Sequence, residues 1–259
     1  MRFNITFTRT GKHRMLPFDY QYYLSAWIYK VIGKADSEFS HFLHSEGFQN
    51  NDYRKFKLFN YSPLYIGKPV IWKEKSLYEV RNEQVNLKVS FNVNESAEKF
   101  IMGLFTDQKA YIGDQFNGLE LTVSQIERLP YAPISHTLNY KAVSPIVISQ
   151  KKETDRYAQY LGPEDNGYAD LFIKHLLAKH STVPHVATLP EEYTCTFNCT
   201  NEPRYRTKTI KPYTKQQSKV KGYLYDFELT APEPLHRLIL ASGAGEKNSV
   251  GFGWCEVKG

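Results

Sequence analysis

Gln21-Tyr22-Tyr23-Leu24-Ser25-Ala26-Trp27-Ile28-Tyr29-Lys30-Val31-Ile32 is the stretch on which the fold turns. Leu24, Trp27, Ile28 and Val31 recur at i, i+3, i+4 and i+7, a stripe that must bury itself against a sheet. The spacing predicts a helix over 20–32 with Asp19 as its cap. Tyr29 stands off the stripe: at about 100° per residue it lies roughly 140° round from Leu24, so its phenol points away from the main core contact. Upstream, Arg2-Phe3-Asn4-Ile5-Thr6-Phe7-Thr8 alternates β-branched and aromatic residues with polar ones and reads as a first strand.

Downstream, Asp36 or Ser37 opens a second helix and Gly47 closes it as a left-handed cap. Phe39, Phe42 and Leu43 form its buried side, which leaves His41 and His44 together on the other. A histidine off an apolar face is ordinarily a solvated residue. The pair has no carboxylate or cysteine cluster nearby to complete a metal site.

Residues 54–62 read as one alternating strand, with Phe56 and Leu58 on one face and Lys55, Lys57, Phe59 and Tyr61 on the other. That second face suits RNA contact and a solvated edge equally well. A strand over 84–93, a helix from Asn94 or Ser96 to about Phe105, and a hairpin over 108–128 turning near Asn117-Gly118 complete a βα(α)ββαβ order. That is the ferredoxin-like plan. Leu129-Pro130-Tyr131-Ala132-Pro133 breaks both periods and divides the chain into domains 1–129 and 130–259.

The second half repeats the pattern: strand over 134–149, helix over 164–179, strand over 192–200, strand over 222–230, helix over 234–240 and a closing strand over 252–257. In 192–200, Tyr193, Cys195, Phe197 and Cys199 share one face, so both cysteines read as buried hydrophobes. His175 reads as a core-edge residue without chemistry. From Arg204 to Lys221 there are seven basic residues and no acidic one, on an expected hairpin. A charge run is usually a solvated face, but seven cations exceed the net charge of +6 for the whole chain. Arg204, Arg206, Lys208 and Lys211 therefore become candidates for a phosphodiester backbone, joined by Lys151 and Lys152.

Gly243-Ala244-Gly245-Glu246-Lys247-Asn248-Ser249-Val250-Gly251-Phe252-Gly253 carries four glycines in eleven residues. Its backbone NH groups could approach a phosphate closely, with Gly243, Gly245, Lys247, Asn248 and Ser249 as the contacts. A plain hairpin turn is the competing reading. The spacing matches neither the dinucleotide fingerprint nor a Walker loop, because the loop enters a strand rather than a helix.

A sequence pI near 9.0 favours a polyanionic partner, and 15% aromatic residues suit unstacked bases. Three cysteines argue against a disulfide framework and for a reducing cytoplasm. No signal peptide and no apolar run of membrane-spanning length stand in the sequence.

Taken in order, Gln21-Tyr22-Tyr23-Leu24 with Ile28-Tyr29, Phe42-Leu43-His44, Lys57-Leu58-Phe59-Asn60-Tyr61-Ser62, Val143-Ser144-Pro145-Ile146-Val147 and the glycine loop with its terminal strand resemble the CRISPR repeat-processing endoribonucleases, the Cas-six family of the repeat-associated RNA-binding superfamily. The resemblance is strongest over 21–62 and 243–257. It implies two tandem ferredoxin-like domains and a metal-free, cofactor-free cleavage of CRISPR repeat RNA, in which a ribose 2′-OH attacks the adjacent phosphate. Tyr29 would be general base, His44 general acid and Lys57 the stabiliser of the phosphorane charge. His41 rivals His44, and Lys55 rivals Lys57. The resemblance also implies CRISPR effector subunits and a second copy of the chain as candidate partners. A non-cleaving subunit that caps a guide RNA is the alternative, decided by whether Tyr29, His44 and Lys57 converge.

Overall fold

A computed structural model describes residues 1–49, 54–131, 133–151, 157–185 and 187–258. The first strand, β1 (Arg2–Arg9), buries Phe3, Ile5 and Phe7 and forms the middle of a five-stranded antiparallel sheet. Next come α1 (Gln21–Ala35), α2 (Ser37–Ser45), β2 (Phe59–Tyr61), β3 (Gln84–Phe91), α3 (Asn94–Thr106), β4 (Lys109–Gly113) and β5 (Gly118–Leu129). The strands lie in the order β2-β3-β1-β5-β4, with Ile5 opposite both Leu87 and Ile126.

The stripe of α1 behaves as its spacing requires: Leu24, Trp27, Ile28 and Val31 are all buried with the sheet's inner face. The helix starts without a side-chain cap, with Tyr20 rather than Asp19 at the N-cap, because the Tyr20 ring is buried and its hydroxyl accepts from Leu64 N at 3.0 Å. Asp36 does cap α2, accepting from Phe39 N at 2.9 Å. α3 crosses α1 so closely that a Cβ on Gly103 would stand 1.8 Å from Val31 O, which only glycine permits.

Residues 54–62 do not form one strand. Lys55–Phe56 pairs with Phe48–Gln49, Leu58 turns the chain at φ +53°, and Phe59–Tyr61 then joins the sheet as β2. The turn sends Phe56 and Leu58 into the second domain's core and Phe59 and Tyr61 into the first. Phe59 and Tyr61 are therefore fully buried and offer no stacking surface beside the lysines.

In the second half, β6 (Thr137–Ala142), α4 (Tyr168–His180), β7 (Thr196–Cys199), β8 (Arg204–Ile210), β9 (Ser218–Leu224), β10 (Asp226–Thr230), α5 (Glu233–Ser242) and β11 (Cys255–Val257) follow one another. β7-β10-β6-β11 make a four-stranded antiparallel sheet, and β8 with β9 forms a separate hairpin. The strand expected over 134–149 stops at Ala142, since Val143 N and Ser144 N both turn to Trp254 O at 2.9 and 3.2 Å. The last strand is correspondingly short, starting at Cys255. Phe197 packs against Phe172 with ring centroids 4.7 Å apart, whereas Cys195 and Cys199 are only half-buried, because β7 is an edge strand.

The two sheets are joined by side chains as well as by the crossing of residues 56–58. Lys88 pairs with Glu256 at 2.6 Å, and Lys208 of β8 donates to Phe18 O at 3.0 Å. Among the described residues, no helix is long and apolar enough to cross a membrane.

Candidate functional site

Tyr29 leaves the stripe of α1 and meets two aromatic rings edge-on. Its centroid is 5.0 Å from His44 at the end of α2 and 5.4 Å from Phe59 in β2. Lys57, held beyond Phe56 by the turn at Leu58, donates from Nζ to His44 O at 2.7 Å. The structure thus brings Tyr29, His44 and Lys57 together. His41, one turn earlier on α2, is exposed, as is Lys55.

Environment moves each group. Burial pushes the Tyr29 phenol up to about 12, with a hydrogen bond to the Ser249 side chain pulling weakly the other way. Partial burial, then the cations of Lys57 and Lys211 and the nearby His41, hold His44 below the ordinary imidazole range. Burial and the neighbouring Lys55 lower Lys57 to about 8. In the RNA-free protein at neutral pH, the site therefore holds a phenol and a largely neutral imidazole beside a lysine that still carries most of its charge.

Lys57 and Ser249 also line a cleft of about 620 Å³ between the two domains. Phe56, Leu58 and Ile148 give it buried apolar walls, and Arg54, Lys55, Lys151, Lys174 and Lys247 stand around it exposed. Among the described residues of the lining Glu246 is the one acid, and its carboxylate is occupied by Ser149 N at 2.7 Å and Ser149 Oγ at 2.9 Å. Lys152 lies outside the described residues.

Part of the glycine loop's backbone is committed to the loop's own fold. The NH groups of Gly243, Ala244, Glu246, Val250, Gly251 and Gly253 all donate to backbone carbonyls. Gly243, Gly245 and Asn248 are buried, so they support the loop rather than face solvent. The glycines are required by packing: at φ +85° a Cβ on Gly243 would meet Asn60 Nδ2 at 2.1 Å, and at φ +90° one on Gly251 would press on Gln21 and the Tyr61 ring at 3.1 Å. Lys247 stays exposed, and Ser249 faces Tyr29. Beneath the loop lies Lys179, fully buried and lowered by that burial to about 7. Its position at the end of an amphipathic helix gave no sign of this in the sequence.

The basic hairpin leans over the first domain. Arg204 and Arg206 are exposed, but the Lys208 amine is engaged with Phe18 O and the Lys211 amine bonds to Gln216. Lys211 lies near enough to depress His44, so the hairpin tip approaches the site. Tyr205 and Tyr213, 62% and 85% exposed, supply aromatic faces beside these cations. Their interleaving with arginine and lysine was a readable signal that charge counting passed over. His175, expected at the core edge, has a buried Nδ1 without a partner and packs against Phe56 at 5.4 Å. Among the described residues, no group of three or more His, Cys, Asp or Glu is placed to hold a metal ion.

Family models match almost the whole chain: the N-terminal model of CRISPR-associated protein Cas6 over residues 15–126 and the C-terminal model over residues 129–257. The CRISPR-associated endoribonuclease Cas6 1 of Methanocaldococcus jannaschii is 28% identical over 253 residues, covering 95% of this chain and 88% of that protein. The CRISPR-associated endoribonuclease Cas6 of Pyrococcus furiosus is 24% identical over 261 residues, covering 100% and 90%. A structure described as a Cas6-related gene product of Pyrococcus furiosus superposes with a TM-score of 0.80 at 22% identity, covering 100% of this chain and 98% of that one. One described as a RAMP protein binding different RNA substrates gives the same TM-score at 18% identity, covering 100% of both chains. Two antiparallel sheets in the same arrangement, and two matched models that between them span residues 15–257, mean that the chain belongs to the CRISPR-associated Cas6 family.

Proposed function

We propose that this protein is an endoribonuclease that cuts precursor CRISPR RNA within its repeats, leaving a 2′,3′-cyclic phosphate and a 5′-OH. The observation that carries the reading is the convergence of Tyr29, His44 and Lys57 from three segments of the chain, with Lys57 on the edge of a cation-lined cleft. A subunit that only bound RNA would need the cations and not the convergence. Curated relatives named as endoribonucleases support the same reading. In this proposal residues 1–129 carry the chemistry and residues 130–259 hold the RNA. Each half is ferredoxin-like, a reading supported by the shared strand arrangement in which the first strand of each sheet is flanked by the third and the last.

The attacking 2′-OH must lose a proton and the departing 5′-oxygen must gain one. His44 supplies the second proton. Lys57, next to His44, stabilises the charge on the phosphoryl oxygens. Tyr29 as general base must work against a value pushed up to about 12. That value favours a second allocation, in which Tyr29 stays a phenol and donates a hydrogen bond to the phosphate while a non-bridging phosphoryl oxygen takes the proton of the 2′-OH. The pH profile separates the two. If Tyr29 deprotonates and His44 protonates, the fraction of one rises with pH as the other falls, and the single-turnover rate is flat between the lowered His44 value and about 12. If Tyr29 only donates, the rate falls about tenfold per pH unit above the His44 value.

Cleavage is expected to proceed at nearly the same rate in excess EDTA, since proton transfer by these side chains needs no divalent ion. Activity lost to the chelator and restored by a divalent ion would contradict the proposal.

The hairpin is expected to bind the phosphodiester backbone through Arg204 and Arg206, with Lys208 acting as its tether to the first domain. Arg206→Ala should weaken binding and reduce the slope of log affinity against log salt by on the order of one unit or less. An unchanged slope in both Arg204→Ala and Arg206→Ala would make the hairpin a solvated surface only.

A further inference from the structure

Lys179 is a buried amine for which the proposed chemistry has no use. It sits in the last turn of α4 at the floor of the cleft and is 2% exposed. A buried ammonium carries three donors and demands a partner for each. Lys179 Nζ has three: Gly243 O at 2.8 Å, Gly245 O at 3.0 Å and Asn248 Oδ1 at 2.6 Å. All three acceptors belong to one loop. Asn248 extends the network, its Nδ2 donating to Ala244 O at 2.9 Å and Phe252 O at 3.0 Å, so one amine and one amide tie both limbs of the loop together.

The next residue after Asn248 is Ser249. Its carbonyl accepts from Ser25 Oγ of α1, the helix that carries Tyr29, at 2.6 Å. A continuous path of hydrogen bonds and adjacent residues therefore runs from Lys179 through Asn248 and Ser249 to α1, the helix that carries Tyr29. A loop with four glycines has many conformations open to it, and the contacts that select one have to come from outside. Lys179 supplies three of them, beside those from Pro145 O, Val147 O and Ser25 Oγ.

We propose that Lys179 is a positioning residue for the reaction: by gathering Gly243 O, Gly245 O and Asn248 Oδ1 it fixes the loop so that Ser249, bonded to Ser25, holds α1 and its Tyr29 in place beside His44. This rests on the reading of Tyr29 as part of the reactive site. Although Lys179 lines the cleft, it is 2% exposed and its three donors are taken, so its loss should reach the rate and not the affinity.

The test uses the full chain, the variants Lys179→Met and Tyr29→Phe, and the double variant. Hydrogen exchange of the RNA-free Lys179→Met protein should lose protection at the Ala244, Glu246 and Gly253 amides, which bond within and beneath the loop, while the amides of β1 and β3 keep theirs. With repeat RNA at saturating enzyme, the single-turnover rate should fall about 30-fold or more while the dissociation constant changes less than about threefold. In the Tyr29→Phe background the same substitution should cost no more than about threefold further, because its effect passes through Tyr29. Asn248→Ala, which removes the third acceptor and leaves the lysine in place, should reproduce the pattern more weakly and stands in if Lys179→Met does not fold. Losses that multiply in the double variant, or an affinity loss equal to the rate loss, overturn the inference and leave the site reading intact. A Tyr29→Phe protein that cuts at the wild-type rate overturns both.

Discussion

Replacing His44 by alanine is expected to slow single-turnover cleavage by about 10²- to 10⁴-fold at saturating enzyme, with RNA affinity nearly unchanged. The size follows from the role: a 5′-alkoxide leaving without a proton is a poor leaving group, and no other imidazole stands against Tyr29. His44 is 5.0 Å from the Tyr29 ring, with the Lys57 amine on its own carbonyl. His41, a turn earlier and exposed, touches this group only through its charge, which helps to lower His44. His41→Ala should therefore change the rate by severalfold at most, upward if it relieves that repulsion. The reverse order of the two variants would transfer the acid to His41.

Much of this site was legible because helix periodicity fixes directions. The 100° step that buries Leu24, Trp27, Ile28 and Val31 also sends Tyr29 elsewhere, and the stripe of Phe39, Phe42 and Leu43 turns His44 outward. Two antiparallel sheets with helices were legible for the same reason. What the pattern missed were positions decided by distant partners. The alternation over 54–62 concealed the turn at Leu58, which is chosen by two separate cores competing for Phe56 and Phe59. Nor can a sequence reveal that six NH groups of the glycine loop, that of Gly243 among them, already have carbonyl partners. Lys179 was invisible for a related reason: a lysine ending a helix normally faces water, and only the folded loop brings three oxygens over it. Lys208 likewise counted as one cation of seven until the tertiary structure tethered it to Phe18.

The claim on which all of this depends is that RNA supplies its own nucleophile. Replacing the single ribose upstream of the scissile phosphate by deoxyribose removes one oxygen and leaves every phosphate and base in place for the cleft and the hairpin. Such an RNA should bind with affinity close to that of the unmodified repeat, compete with it for the protein, and remain uncut at that bond. No rearrangement of Tyr29, His44 or Lys57 can replace the missing atom. Because 2′-OH groups also contribute to recognition, the measurement is made with protein well above the dissociation constant, where a modest loss of affinity has no effect on the rate. An intact deoxy-substituted strand under those conditions is the result expected. Cleavage at the same bond would mean that water attacks, and the roles assigned to Tyr29, His44 and Lys57 would fall with it.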